Sequence, residues 1–155
     1  LVGSEMCIRD RYKKEDILIF KTESGKKRIA PFFLDSVSAG FPSPADDFIE
    51  MEINLQDYIV KNKEATFCVK VEGTSMTKAG INSGDIMIVD RSLHPKHNDI
   101  VLAVIDGEFT VKRIAVNDES LYLVPENDTF SPIKITESMN FQVWGIITHI
   151  IHKAR

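Results

Sequence analysis

Asp99-Ile100-Val101-Leu102-Ala103-Val104-Ile105-Asp106-Gly107-Glu108-Phe109-Thr110-Val111-Lys112-Arg113-Ile114 decides the fold class. Two runs rich in branched and aromatic residues flank Asp106-Gly107, a dipeptide that tolerates the positive φ angles of a two-residue hairpin turn. The stretch therefore predicts two antiparallel strands, with Lys112 inside the second. The same composition recurs on both sides. Thr66 to Val71, Asp85 to Val89, Ser120 to Val124 and Phe141 to Ile151 read as further short strands, separated by turns bearing Gly, Asn and Pro. Helix is scarce: Asn54 can cap a short one through about Val60, with Leu55, Tyr58 and Ile59 at helical spacing. The expected fold is mostly β, a curled sheet or partly closed β-barrel of short strands, preceded by an extended N-terminal arm.

The arm is read from Lys21 to Pro44, which carries Gly25, Pro31, Gly40, Pro42 and Pro44 and has no sustained hydrophobic period. Phe41-Pro42-Ser43-Pro44 is stiff and non-helical, because each proline fixes its own φ and pushes the preceding residue toward extended backbone. With 155 residues, 43% hydrophobic and 27% charged, the chain is expected to form one domain plus this arm, and wholesale disorder is excluded. Its longest apolar stretch, Phe141 to Ile151, is broken by Gln142, Thr148 and His149. It falls short of the roughly 20 residues of a membrane helix. The first residues have mixed charges in place of a signal peptide's apolar run, and Leu1 to Arg11 resembles translated adapter sequence and is set aside as non-native. Two cysteines, Cys7 and Cys68, build neither a disulfide framework nor a four-ligand zinc site. The reading calls for no metal, no cofactor and a cytoplasmic location.

Charge is distributed unevenly. Through Ala39 there are 8 Lys/Arg against 6 Asp/Glu, a balance of +2; from Gly40 onward 11 face 17, a balance of −6. A body of that sign repels phosphate, so no direct DNA binding by the main domain is expected. Lys26-Lys27-Arg28 in the arm reads as a solvated cluster.

The candidate chemistry lies in Gly73-Thr74-Ser75-Met76, which follows a strand and precedes Thr77-Lys78-Ala79-Gly80, long enough for one helical turn. Such a junction exposes the Ser75 hydroxyl beside the free backbone N–H groups of Ser75 and Met76, donors suited to an oxyanion. By itself the serine reads as a hydrogen-bonded turn residue, the usual role of Ser at such a junction. A nucleophile needs a base. His94 and His97 flank Pro95 in a loop, and His149 and His152, three apart in a strand-like run, point to opposite faces and cannot share a metal or a proton. Lys112, mid-strand among Phe109, Val111 and Ile114, is the better candidate, because desolvation disfavours its charged form; an ordinary strand lysine would snorkel to solvent.

Taken together, Val71-Glu72-Gly73-Thr74-Ser75-Met76, Gly80-Ile81, Gly84-Asp85-Ile86, Ile88-Val89-Asp90 and Gly107 to Arg113 resemble the self-cleaving peptidase domain shared by LexA, phage repressors and UmuD. The resemblance runs from about Phe33 to the C-terminus and is greatest to the UmuD branch. It implies Ser75 as nucleophile and Lys112 as general base. Ala39-Gly40-Phe41-Pro42-Ser43-Pro44-Ala45 resembles the cleavage region, which places scission between Ala39 and Gly40; the branch usually has Cys before that Gly. Tyr122 to Pro132, with Pro125-Glu126-Asn127, is similar to the family's late strand and loop. Residues 1–39 are then the arm removed on cleavage and residues 40–155 the peptidase domain.

The resemblance further implies stimulation by a RecA filament in the SOS response, a shortened homodimer, and partnership with an error-prone, UmuC-type DNA polymerase. The apolar run Val143 to Ile151 is read as part of the dimer surface. Attack within one chain or on a partner is equally open, because the 35 positions from Gly40 to Ser75 could extend about 115 Å at about 3.3 Å per residue. The alternative is a LexA-like or phage-type repressor fragment lacking its DNA-binding domain. Fewer than forty residues precede Gly40, without helical periodicity, so such a domain would have to be lost. A signal peptidase would use the same chemistry but needs a membrane anchor.

Overall fold

The structure, a computed structural model, describes residues 19–20, 29–33, 50–117 and 119–154. These fall into two compact units, one within 23–61 and one formed by the described residues of 1–22 and 62–155.

In the smaller unit β2 (Ile29–Phe33) pairs antiparallel with β3 (Glu50–Asn54), from Ile29 opposite Asn54 to Phe33 opposite Glu50. Helix α1 (Leu55–Ile59) follows directly. Its N-cap is Asn54, as the sequence predicts: the side-chain oxygen accepts from the Gln56 N–H at 3.1 Å, satisfying one of the first turn's unpaired donors. β2 lies within 21–44, the stretch read from sequence as an extended arm. Pro31 lies within β2, where a missing N–H is tolerated because a two-stranded ladder leaves each strand one open edge.

The larger unit is one open antiparallel sheet of eight strands. β1 (Ile19–Phe20), β4 (Thr66–Lys70), β5 (Ile86–Asp90), β6 (Ile100–Ile105), β7 (Glu108–Val116), β8 (Leu121–Val124), β9 (Ile133–Ile135) and β10 (Phe141–Ile151) lie in the order β1-β4-β5-β10-β6-β7-β8-β9. The sheet does not close into a barrel, since its outer strands β1 and β9 have one sheet neighbour each. The β6–β7 hairpin turns at Asp106 (φ 50°) and Gly107 (φ 92°), both positive as the dipeptide predicts.

The last strand binds the two halves of the sheet together. Phe141 to Ile146 pair with β6, and Ile146 to Ile151 pair with β5. Register shifts at Trp144 and Thr148 insert bulges that bend β10 as it passes from one partner to the other. Gly145 allows the passage: a Cβ there would lie 2.6 Å from Val89 Cγ1 and 3.0 Å from the Asp90 carbonyl oxygen. Two apolar groups cover the sheet. One contains Val69, Met76, Ile81, Met87, Val89 and Leu102, with Trp144, Ile147 and Ile150 against it. The other contains Val101, Ala103, Ile114, Leu123 and Ile146, with Val143 against it. Within the run from Val143 to Ile151, read from sequence as part of the dimer surface, Ile146 is buried in this core and Val143, Trp144, Ile147 and Ile150 are partly buried. Ile151 stays exposed.

Among the described residues no helix is long and apolar enough to cross a membrane.

Candidate active site

Gly73-Thr74-Ser75-Met76 forms the turn after β4, and a single 3-10 turn, Thr77–Ala79, follows. Met76 anchors it. Its side chain is 3% exposed within the first apolar group, and its carbonyl accepts from Ala79 N–H (3.0 Å) and Ile81 N–H (3.2 Å). Burial of the methionine fixes the neighbouring Ser75, which is itself half-buried. Among the described residues the N–H groups of Ser75 and Met76 have no acceptor, so both are free to donate.

Lys112 comes from the middle of β7, opposite fully buried Val101 of β6. The residue is 7% exposed. Its Nζ lies 2.8 Å from Ser75 Oγ, 2.9 Å from Thr110 Oγ1 and 3.0 Å from the Val111 carbonyl oxygen. Burial holds its pKa below the ordinary lysine value, because the charged form loses hydration that these neutral partners replace only in part. The pocket matches both states of the nitrogen. An ammonium donates to all three oxygens, whereas a neutral amine donates to two and turns its lone pair to the third. The Val111 carbonyl can only accept; the Ser75 hydroxyl can reverse and donate.

The turn is also held from the β8–β9 connection. Glu126 N–H donates to the Ser75 carbonyl and Lys78 N–H to the Glu126 carbonyl, both at 2.8 Å. The Asn127 amide donates to the Thr74 carbonyl at 2.8 Å. These contacts were not legible as part of the site in the sequence, although Pro125-Glu126-Asn127 stood out as a motif. His97 and His152 bond to groups other than Ser75 and Lys112. His97 Nδ1 accepts from Val116 N–H at 3.0 Å. His152 lies just beyond the end of β10, and its Nδ1 is 2.7 Å from Asp85 Oδ1, a hydrogen bond the strand reading missed. Asp85 is buried, and its pKa is lowered chiefly by the Asn82 N–H and further by His152. Ala39 and Gly40, the expected scissile pair, lie outside the described residues.

A hydroxyl paired with a buried amine, next to two unused backbone donors, can carry out acyl transfer. Residues 31–148 match the family described as Peptidase S24-like. The chain is 42% identical over 127 residues to Protein ImpA of Salmonella typhimurium, covering 82% of this chain and 86% of that protein. Protein MucA of Escherichia coli is 41% identical over 129 residues, 81% of this chain and 88% of that protein. Protein SamA of Salmonella typhimurium is 39% identical over 139 residues, 90% and 96%. The chain belongs to the S24-like peptidase family. Within it, the chain is a UmuD-like member of the LexA/UmuD group.

Proposed function

We propose that this protein cuts its own chain between Ala39 and Gly40, with Ser75 as nucleophile and Lys112 as general base. The observation that carries the reading is the 2.8 Å approach of the buried Lys112 Nζ to Ser75 Oγ. Neutral Lys112 takes the hydroxyl proton as Ser75 Oγ bonds to the Ala39 carbonyl carbon. Ser75 and Met76 N–H groups receive the charge that develops on the carbonyl oxygen. Lys112 then gives the proton to the Gly40 nitrogen as the peptide bond breaks. Water, deprotonated by Lys112, attacks the resulting ester and frees Ser75 with Ala39 as a carboxylate.

On this reading residues 1–39 are released and residues 40–155 continue as the functional domain. The UmuD likeness supports a role in SOS mutagenesis, with cleavage stimulated by a RecA filament and the shortened homodimer serving a UmuC-type, error-prone DNA polymerase. The −6 balance from Gly40 onward supports action through protein contacts rather than direct DNA binding.

The test is incubation of the intact chain at alkaline pH, followed by mass spectrometry of the products. The expected new N-terminus is Gly40, with no cleavage in Ser75→Ala. Any other terminus refutes the assigned bond, and Ala39→Asp should block cleavage by placing charge beside the nucleophile. Tight binding of the Gly40-start fragment to duplex DNA would favour a repressor fragment instead.

A further inference from the structure

Resting on the serine–lysine reading, we propose that Glu126 and Asn127 are positioning residues for Ser75. The Arg113–Glu126 ion pair then couples their loop to the strand that carries Lys112.

Ser75 and Lys112 need such a coupling because the sheet does not supply it. The Ser75 turn leaves β4, whose sheet neighbours are β1 and β5, whereas Lys112 lies on β7, whose neighbours are β6 and β8. No ladder hydrogen bond joins the two strands. The β8–β9 connection bridges the gap at three points around the nucleophile, the Thr74 carbonyl, the Ser75 carbonyl and the Lys78 N–H. Two are bonded through the Glu126 backbone and one through the Asn127 side chain. Asn127 is itself braced, its Oδ1 accepting from Thr129 N–H and Thr129 Oγ1, both at 3.0 Å.

Arg113, the residue after Lys112, completes the path. Its Nε donates to Glu126 Oε1, and its Nη1 donates to the Asn98 carbonyl at 2.6 Å. The guanidinium is thus held at two points. Side-chain exposures of 30% and 26% place the Arg113–Glu126 pair where water screens it less than the open Lys78–Asp128 pair, at 56% and 85%. Lys112, Arg113, Glu126 and Ser75 form a closed circuit, two covalently adjacent residues on one side and two hydrogen bonds on the other, with the 2.8 Å dyad contact as its last link. A loosened circuit lets Ser75 drift from Lys112, and a displacement of about 1 Å can cost roughly a hundredfold in rate.

The experiment measures self-cleavage of the full chain across roughly pH 7 to 10, around the lysine range, with urea unfolding in parallel. The variants are Arg113→Gln, Glu126→Gln, Asn127→Asp and the exchanged pair Arg113→Glu with Glu126→Arg; Ser75→Ala is the reference. In the folded single variants the plateau rate should fall about tenfold to a hundredfold. The pH midpoint, which belongs to Lys112, should stay in place, and the exchanged pair should regain most of the rate. Asn127→Asp removes one donor without touching the ion pair, so it tests the loop even where an Arg113 variant unfolds. Wild-type plateau rates in the single variants, with Ser75→Ala inert, overturn the positioning role and leave the serine reading standing. Slow single variants with an equally slow exchanged pair overturn the coupling through Arg113. Cleavage by Ser75→Ala overturns the serine reading itself.

Discussion

Thr110 Oγ1 lies 2.9 Å from Lys112 Nζ, two residues along the same face of β7. Together with the Val111 carbonyl it accounts for two of the three polar neighbours of that nitrogen, and Ser75 is the third. Once the amine is neutral, two acceptors hold its N–H bonds and its lone pair faces the serine. Thr110→Val keeps the shape and removes one acceptor, so the amine can turn away. The expected result is a folded protein whose plateau cleavage rate is lower by about tenfold or more, a fraction of what a positioned base contributes. Single-turnover rates read against wild type check this, and an unchanged rate would free Thr110 of the role.

On the proposed mechanism, cleavage should accelerate with rising pH and then level off, because only neutral Lys112 accepts the serine proton. Burial lowers its pKa, so the midpoint should fall below the ordinary lysine value of about 10.4. Lys112→Arg should be inert at every pH, since a guanidinium keeps its proton. A rate independent of pH would remove lysine as the base.

The same burial makes a stability prediction. Where the folded-state pKa is depressed, the unfolded chain binds the extra proton between the two values, so stability rises with pH through that window and is flat above it. Lys112→Met should remove this rise and be the more stable protein at neutral pH. Urea midpoints measured across the window decide it. A parallel pH dependence in both proteins would place its origin elsewhere.

Gly145→Ala should destabilise the fold by about 1–3 kcal/mol, the usual range for overpacking. The new methyl would meet Val89 Cγ1 and the Asp90 carbonyl just where β10 passes between β5 and β6. The urea unfolding midpoint reads the loss, and an unchanged midpoint would mean that β10 can shift to make room.

Asp85 gives the same direction of pH dependence as Lys112, but in the acid range, because its pKa too is lowered in the folded chain. Its lowered pKa contributes stability above the ordinary carboxylate range, and that contribution is lost as acid protonates the group. His152→Ala removes one of the lowering partners, so acid unfolding should begin at a higher pH in the variant. Coincident acid transitions would show that the Asn82 N–H alone holds the carboxylate.

Local chemistry explains what the sequence determined by itself. Asp106-Gly107 permits one tight turn, the side chain of Asn54 caps the helix that follows it, and runs of branched residues form strands within a residue or two of their expected ends. The turn that carries Ser75 and the strand that carries Lys112 were legible for the same reason. Contacts between distant segments decided the rest. β9 has three residues, too few for a period to stand out, and β2 contains Pro31, which reads locally as a breaker. The place of β10 between β5 and β6, with its bulges and the close approach at Gly145, follows from how the whole sheet packs. The meeting of Ser75 with Lys112, 37 positions later, and the hold of Glu126 and Asn127 on the serine turn are products of tertiary structure. Hydrogen bonds between such remote residues leave no periodicity in the chain: the motifs paired Ser75 with Lys112 only by resemblance, and the folded backbone supplied their contact and the hold of the β8–β9 connection on the serine turn.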